Sequence, residues 1–487
     1  MNVHRLKNIN IRKISDTLLK ACCALLLAVS LILTFTVSDY YIFNRVNEFG
    51  FVFVLCQWLK KAGLLIIPLA VFYNKKSCSD IAKYVLPVFV IVSCCTFGSF
   101  FDATAITENS SPADLVYANI NEFMPKAANM ALFFLSNALY LFICAGLFVR
   151  DGYKVEIRSF IWLPFAIVAC VPLNIFENFF EISNFSREHF LWFKNFTLWH
   201  FLAICVLVGF TVGSHYFLKN KDRKTQDEFL AAAAIVLLIQ YHSKDSMVMG
   251  DGYNVYHTVF ACIPLFICNI GVYVAAVSVI VKKKILYAIS FFVHAAGAVS
   301  VFVYFGKDEM SNYGIFCSYS ILYFCLTHIL LFALSVLPTA LGHYKFKFKD
   351  CIIPLIYYFA VIIIASVASA LVSSASMDFS YGGYILQEGE FLIPNYAFTQ
   401  INPLPFDVPV WKLTIWRYDL NALYILGLYI AYVAIFFAFN GAYFAFLAVR
   451  KKVLEKLASR RASLPAEPFA EIAVSEAEEN EKSDTEN

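Results

Sequence analysis

Apolar segments of membrane-crossing length recur along nearly the whole chain, and this constrains the fold more than any motif. A membrane helix needs about 17–25 mostly apolar residues. Twelve segments qualify as candidates: 17–37, 51–73, 84–101, 127–149, 159–180, 198–218, 228–241, 257–281, 285–305, 315–341, 351–373 and 421–449. Composition agrees: of 487 residues 60% are hydrophobic and only 15% charged, against about 25% charged in soluble domains. A water-soluble globule, a disordered chain and a disulfide-rich secreted scaffold are all excluded. The expected class is an all-α polytopic membrane protein. The basic start and the apolar run after Leu18 could be a secretion signal, but the run is too long and lacks a small-residue cleavage site, so it is expected to remain as the first span. The seventh segment is short and ends in Gln240, His242, Lys244 and Asp245, so a tilted, broken or partly re-entrant helix is expected there.

Positive charge sets the expected orientation. Every second loop is basic, from Arg5–Lys13 through Lys75 and Lys76, Lys154 and Arg158, Lys219–Lys224, Lys282–Lys284 and Lys345–Lys349 to Arg450–Lys452. Both termini are therefore expected in the cytoplasm of a cell-membrane protein. The alternate loops, 102–126 and 374–420, are longer and mixed or acidic. Between Glu467 and Asn487 the tail carries eight acids and one Lys, the composition of a disordered end. A net charge of +3 offers no nucleic-acid footprint, so membrane lipids are the expected partners; oligomeric state is left open.

The chain also reads as a duplication. NALYLFICAGLFVRDGYKVEIRSFIWLP from Asn137 parallels HILLFALSVLPTALGHYKFKFKDCIIP from His328, with Tyr153-Lys154 and Tyr344-Lys345 each sixteen residues after the first position. Segments around Cys56 and Cys268, and around Asn178 and Asn395, match in the same sense. Two parallel six-helix repeats follow, 1–220 and 221–455, with 456–487 as the tail. Chance similarity between apolar spans is the competing account.

Polar groups inside the apolar spans carry the functional reading. Cys268, eleven residues into its span, and His328, thirteen into its own, match in depth to about 3 Å at 1.5 Å per residue. A thiol and an imidazole so placed can form a nucleophile and base; the plain alternatives are packing for Cys268 and a hydrogen bond to Thr327, Asn269 or Tyr323 for His328. In the first half the matching positions are Cys56 and Asn137, and Asn is no general base, so only the second half is expected to be competent. Lys60 and Lys61 lie ten and eleven residues into span two. They either anchor a headgroup or carboxylate, or their span starts later and they snorkel outward. His294 and His200 are lesser candidates. His242, Lys244, Asp245 and His257 crowd one outer loop without HxxxH or HExxH spacing, so no metal is expected, nor any cofactor. The other cysteines, without CxxC spacing, read as small core residues.

LFICNIGVY around Cys268, FCLTHILLF around His328 and PNYAFTQINP around Asn395 make the second half similar to the YwaF-type family of bacterial integral membrane proteins, related to a vertebrate multi-pass ether-phospholipid acyltransferase. The resemblance implies fatty-acyl transfer through a thioester on Cys268 with His328 as its partner, sixty residues apart, and covers spans seven to twelve. Asn269, Lys60, Lys61 and Asn395 are the expected substrate-binding residues. A twelve-span transporter or lipid flippase is the alternative function, and a scaffold subunit using the acidic tail is a third.

Overall fold

The computed structural model describes residues 3–37, 42–43, 46–103, 125–176, 192–250, 263–303, 316–377, 393–401 and 408–462. Helices dominate: α1 (Val3–Thr36), α2 (Phe51–Phe72), α3 (Lys76–Tyr84), α4 (Leu86–Cys95), α5 (Lys126–Asp151), α6 (Trp162–Ala169), α7 (Leu198–Leu218), α8 (Arg223–Gly250), α9 (Ile267–Val281), α10 (Lys284–Val303), α11 (Tyr319–Ala340), α12 (Ile352–Ser376) and α13 (Ala422–Ala462). One antiparallel hairpin, β1 (Lys412–Ile415) with β2 (Tyr418–Asn421), precedes α13. Among the described residues nine helices are long and apolar enough to cross a bilayer, while α9 and the stretch Ile157–Ala169 are shorter. Phe165, Val168, Ile356 and Ile430 are each at least 60% exposed, which suits a lipid solvent and not water. The chain is an all-α multi-pass membrane protein.

Several expected spans differ in detail: the third, 84–101, is displaced to Lys76–Cys95, and the fifth, 159–180, is helical only over Ile157–Ala169. The seventh is not broken, because α8 runs without interruption from Arg223 to Gly250, although it is not among the nine. Its polar end is tied to neighbouring helices: Gln240 donates to the carbonyls of Ala169 (3.3 Å) and Val171 (3.0 Å), and Ser243 accepts from Lys61 at 2.6 Å. Partners of this kind let polar groups stay helical at depth. The eighth segment was expected from residue 257, yet the helix starts at Ile267; residues 263–266 are non-helical and 257–262 lie outside the described residues. Also outside them are Asn178, His257, most of 102–126 and the acidic tail, together with the side chain of Asp245.

The compact unit Met1–Val433 contains α1 to α12; Ala434–Asn487 is separate, and its described part continues α13. Within the first unit α1 packs on α5, α2 and α8, whereas α8 packs on α9, α11 and α2. Helix α7 lies against α11 and α10. At the basic ends of the helices, fully buried Asp80 accepts from Lys76 (2.8 Å), Ser159 (2.8 Å) and the Glu156 amide (3.2 Å), with Lys83 at 3.3 Å. The corresponding end of the later helices has Asp350 bonded to Lys284 (2.7 Å) and to the Lys347 amide (2.8 Å). Gly152 (φ 73°) and Gly342 (φ 76°) close α5 and α11 in left-handed geometry, which glycine adopts without a Cβ penalty.

Candidate functional site

Cys268 is the second residue of α9, so it stands at a helix N-terminus and not in mid-helix as its segment suggested. Counted from the basic ends of the helices at 1.5 Å per residue, Cys268 lies about 20 Å up α9, His328 about 18 Å up α11 and His294 about 15 Å up α10. One polar layer thus crosses the second half of the chain. Phe266 before Cys268 gives no side-chain cap. Tyr358 of α12 couples electrostatically to Cys268.

His328 is buried, with 8% exposed. Its Nδ1 lies 2.8 Å from the Phe324 carbonyl one turn back. Because a carbonyl only accepts, Nδ1 carries the proton and Nε2 of the neutral ring keeps its lone pair. The ring packs on Phe324 (centroids 4.2 Å) and edge-on to Phe302 (6.4 Å). Among the described hydrogen bonds none joins His328 to Cys268. Lys244, over the Tyr323 ring at 5.6 Å, acts electrostatically on His328.

The imidazole pressed onto the Cys268 helix is that of His294. A Cβ placed on Gly271, three residues past Cys268, would meet His294 Nδ1 at 2.7 Å and Cγ at 2.9 Å. His294 is 1% exposed, its Nε2 lies 3.2 Å from the Tyr357 hydroxyl, and the backbone of Ile267, next to Cys268, lies against the ring. It ends a π-helical turn, Ser290–His294, inside α10. Such turns insert an extra residue and re-aim side chains, often at functional sites. Sequence reading ranked His294 below His328. The signal it lacked was the glycine gap opposite, since helices that have not been paired do not reveal which small residue faces which ring.

The remaining expected residues fall elsewhere. Asn269 is half-buried beside Cys268. Asn395 is engaged within its own loop: its Oδ1 accepts from the amides of Gln400 (3.0 Å) and Ile401 (2.9 Å) while its backbone sits at φ 48°. That loop is sewn to the serine face of α12 through Tyr396 N to Ser369 Oγ (3.1 Å) and Gln400 Nε2 to Ser373 Oγ (2.7 Å). Tyr396 and Phe398 pack around Phe266, directly before α9. The loop therefore covers the end of the helix that bears Cys268. Lys60 and Lys61 lie on α2, which does begin at Phe51, and Lys61 is 92% buried, so outward snorkelling does not describe it. Lys61 Nζ lies 4.9 Å from the Phe43 ring centre, and Lys60 Nζ 4.8 Å from that of Phe133. Asn137, the counterpart of His328, is buried with both amide atoms lacking hydrogen-bond partners among the described residues. His200 is structural: Nε2 donates to the Phe302 carbonyl (2.7 Å) and Nδ1 accepts from the Phe196 amide (2.9 Å). No cluster of metal-ligating side chains occurs among the described residues.

The family model of the TMEM164 family matches residues 184–440, more than half of the sequence. The chain belongs to the TMEM164 family. The match takes in α7 through the first part of α13, and so the whole layer of Cys268, His294 and His328. It begins upstream of residue 221, in keeping with the packing of α7 on α10 and α11. Helices α1 to α6 precede the region that defines the family. Neither a curated protein nor a solved structure matches the chain.

Proposed function

We propose that this TMEM164-family protein transfers fatty-acyl groups between membrane lipids, with Cys268 as nucleophile and His328 as base. The observation that carries the reading is the tautomer of His328. Its Nδ1–H bond to Phe324 leaves Nε2 as a proton acceptor in the same membrane layer as a thiol at a helix N-terminus. The thiol proton passes to Nε2, the sulfur attacks the ester carbonyl, and the ester C–O bond breaks as the leaving alkoxide takes the proton. The acceptor hydroxyl then gives its proton to Nε2 and attacks the thioester, releasing the thiolate. Catalytic hydrogen bonds commonly tighten only once substrate is bound.

The same proposal places both termini in the cytoplasm of a cell-membrane protein, with twelve spans as two parallel six-helix repeats. Supporting the repeat, α5 and α11 are both followed by a positive-φ glycine, Gly152 and Gly342, then by a tyrosine, Tyr153 and Tyr344, and then by a 3₁₀ turn (Ile157–Ile161 and Phe348–Cys351).

Incubation of purified protein with an alkyne-tagged phospholipid tests the chemistry. Hydroxylamine-sensitive label is expected on Cys268, absent in Cys268→Ser and at least tenfold slower in His328→Ala. Label spread evenly over exposed cysteines such as Cys95 and Cys205 removes the enzyme reading. Liposome uptake that survives Cys268→Ser but is lost in Lys60→Ala favours the transporter or flippase instead.

A further inference from the structure

A cavity of about 930 Å³ lies between α1, α2, α8 and α9, and neither Cys268 nor His328 lines it. Two of its walls, α1 and α2, precede the region that the family model matches. Small residues open the space: Ala231 and Ala234 on α8 and Ala276 on α9 face it where larger side chains would close the helices together. Leu27 and Leu31 of α1 point into it and are still 36% and 38% exposed, so protein atoms alone do not fill it. It extends along α2 from Lys61 to Tyr73, about 18 Å at 1.5 Å per residue. Apolar walls of this length suit an acyl chain and not ordered water, which needs several polar partners.

The basic end of the cavity is different. Lys224 and Lys282 line its rim with Asp227. Lys282 is held by Asp227 at 2.5 Å, whereas Lys224 is 65% exposed and 4.0 Å from its nearest carboxylate, Glu228. Lys224, Lys282 and the neighbouring Lys75, which is bonded to Glu228, stand against two carboxylates, Asp227 and Glu228, and this surplus of positive charge at the mouth of an apolar slot complements a lipid phosphate. The volume is near the top of the ~300–1,000 Å³ range of small-molecule sites, too little for both chains of a membrane lipid but ample for one.

We infer that this seam binds one anionic glycerophospholipid, its phosphate at Lys224 and Lys282 and one acyl chain along α2 and α8 toward Lys61, the second chain remaining in the bilayer. The site joins the N-terminal helices to the family-defining helices and is independent of the acyl-transfer reading, since its occupant need not react.

Native mass spectrometry of the delipidated full chain, titrated with phosphatidylglycerol or phosphatidylcholine of identical chains in mixed micelles, tests the inference. One phosphatidylglycerol per chain is expected to stay bound, with phosphatidylcholine clearly weaker. Lys224→Gln and Lys282→Gln should each weaken phosphatidylglycerol binding about fivefold, and Asp227→Asn should leave it unchanged or tighter. Ala234→Phe, which fills the slot, should abolish it while size-exclusion behaviour stays that of the parent. Equal retention of the two lipids overturns the anionic site, and retention unaffected by Ala234→Phe overturns the chain placement. A Lys224→Gln variant that elutes as the parent does and binds with parental affinity overturns the rim assignment.

Discussion

Gly271→Ala probes the contact between α9 and α10 that brings an imidazole to the Cys268 helix. The added Cβ would lie 2.7 Å from His294 Nδ1, 2.9 Å from Cγ and 3.2 Å from Cβ. These atoms are close to the root of the side chain, and His294 is bounded by the π turn on one side and Tyr357 on the other, so a small rotation does not relieve the clash. Overpacking of this kind costs about 1–3 kcal/mol, partly offset by the ~1 kcal/mol that Ala gains over Gly within a helix. A net loss of up to about 2 kcal/mol is expected, lowering the melting temperature by about 2–4 °C for each kcal/mol. In a His294→Ala background the obstacle is gone, and Gly271→Ala should become neutral or stabilising by up to ~1 kcal/mol. The double-mutant cycle in one detergent, read by tryptophan fluorescence against temperature, should therefore give a coupling of about 1–3 kcal/mol with the double variant more stable than additivity allows. Equal losses in both backgrounds would refute the close approach and, with it, the placement of His294 against α9.

Three further outcomes are expected. His343, in the turn after α11, has its pKa pushed down to about 4 from 6.5, first by burial and next by Arg223, with Asp227 opposing and Lys282 adding. The unfolded chain takes up a proton near pH 6.5 where the folded one does not, so stability should fall as pH drops from about 6.5 to about 4, by at most ~3 kcal/mol. Thermal melts of His343→Gln should be flatter over that window, and an unchanged slope counts against the buried neutral ring. Asp80→Ala leaves fully buried Lys83 without its carboxylate and should destabilise by about 3–5 kcal/mol, seen as loss of monodisperse protein on size exclusion; parental behaviour would show the network to be dispensable. Asn395→Ala removes two amide acceptors from the covering loop and should cost about 1–3 kcal/mol while speeding proteolysis between α12 and α13. Unchanged proteolysis would show that the side chain does not hold the loop.

Much of the architecture was legible because a bilayer admits few solutions. Each apolar segment read from the sequence overlaps a helix, since a backbone in lipid must bond within its own segment. The start of α9 at Ile267 was missed although Pro264, three residues before it, is a local boundary signal; Phe266, just ahead of the helix, is covered by Tyr396 and Phe398. The fate of Lys60 and Lys61 was hidden: two lysines at that position are compatible with snorkelling or burial, and only the Ser243 hydroxyl of a helix 182 residues away shows which.

The sequence by itself determined a membrane-embedded helical chain. Azimuth was decided only by tertiary structure. The turn of α10 that presses His294 into the gap at Gly271, the bond that holds His328 to its own helix, and the slot left between small residues of α8 and α9 all depend on which helix faces are neighbours. In spans that are apolar all round, the hydrophobic pattern has no preferred face, so the choice falls to packing of small against large residues and to a few interhelical hydrogen bonds.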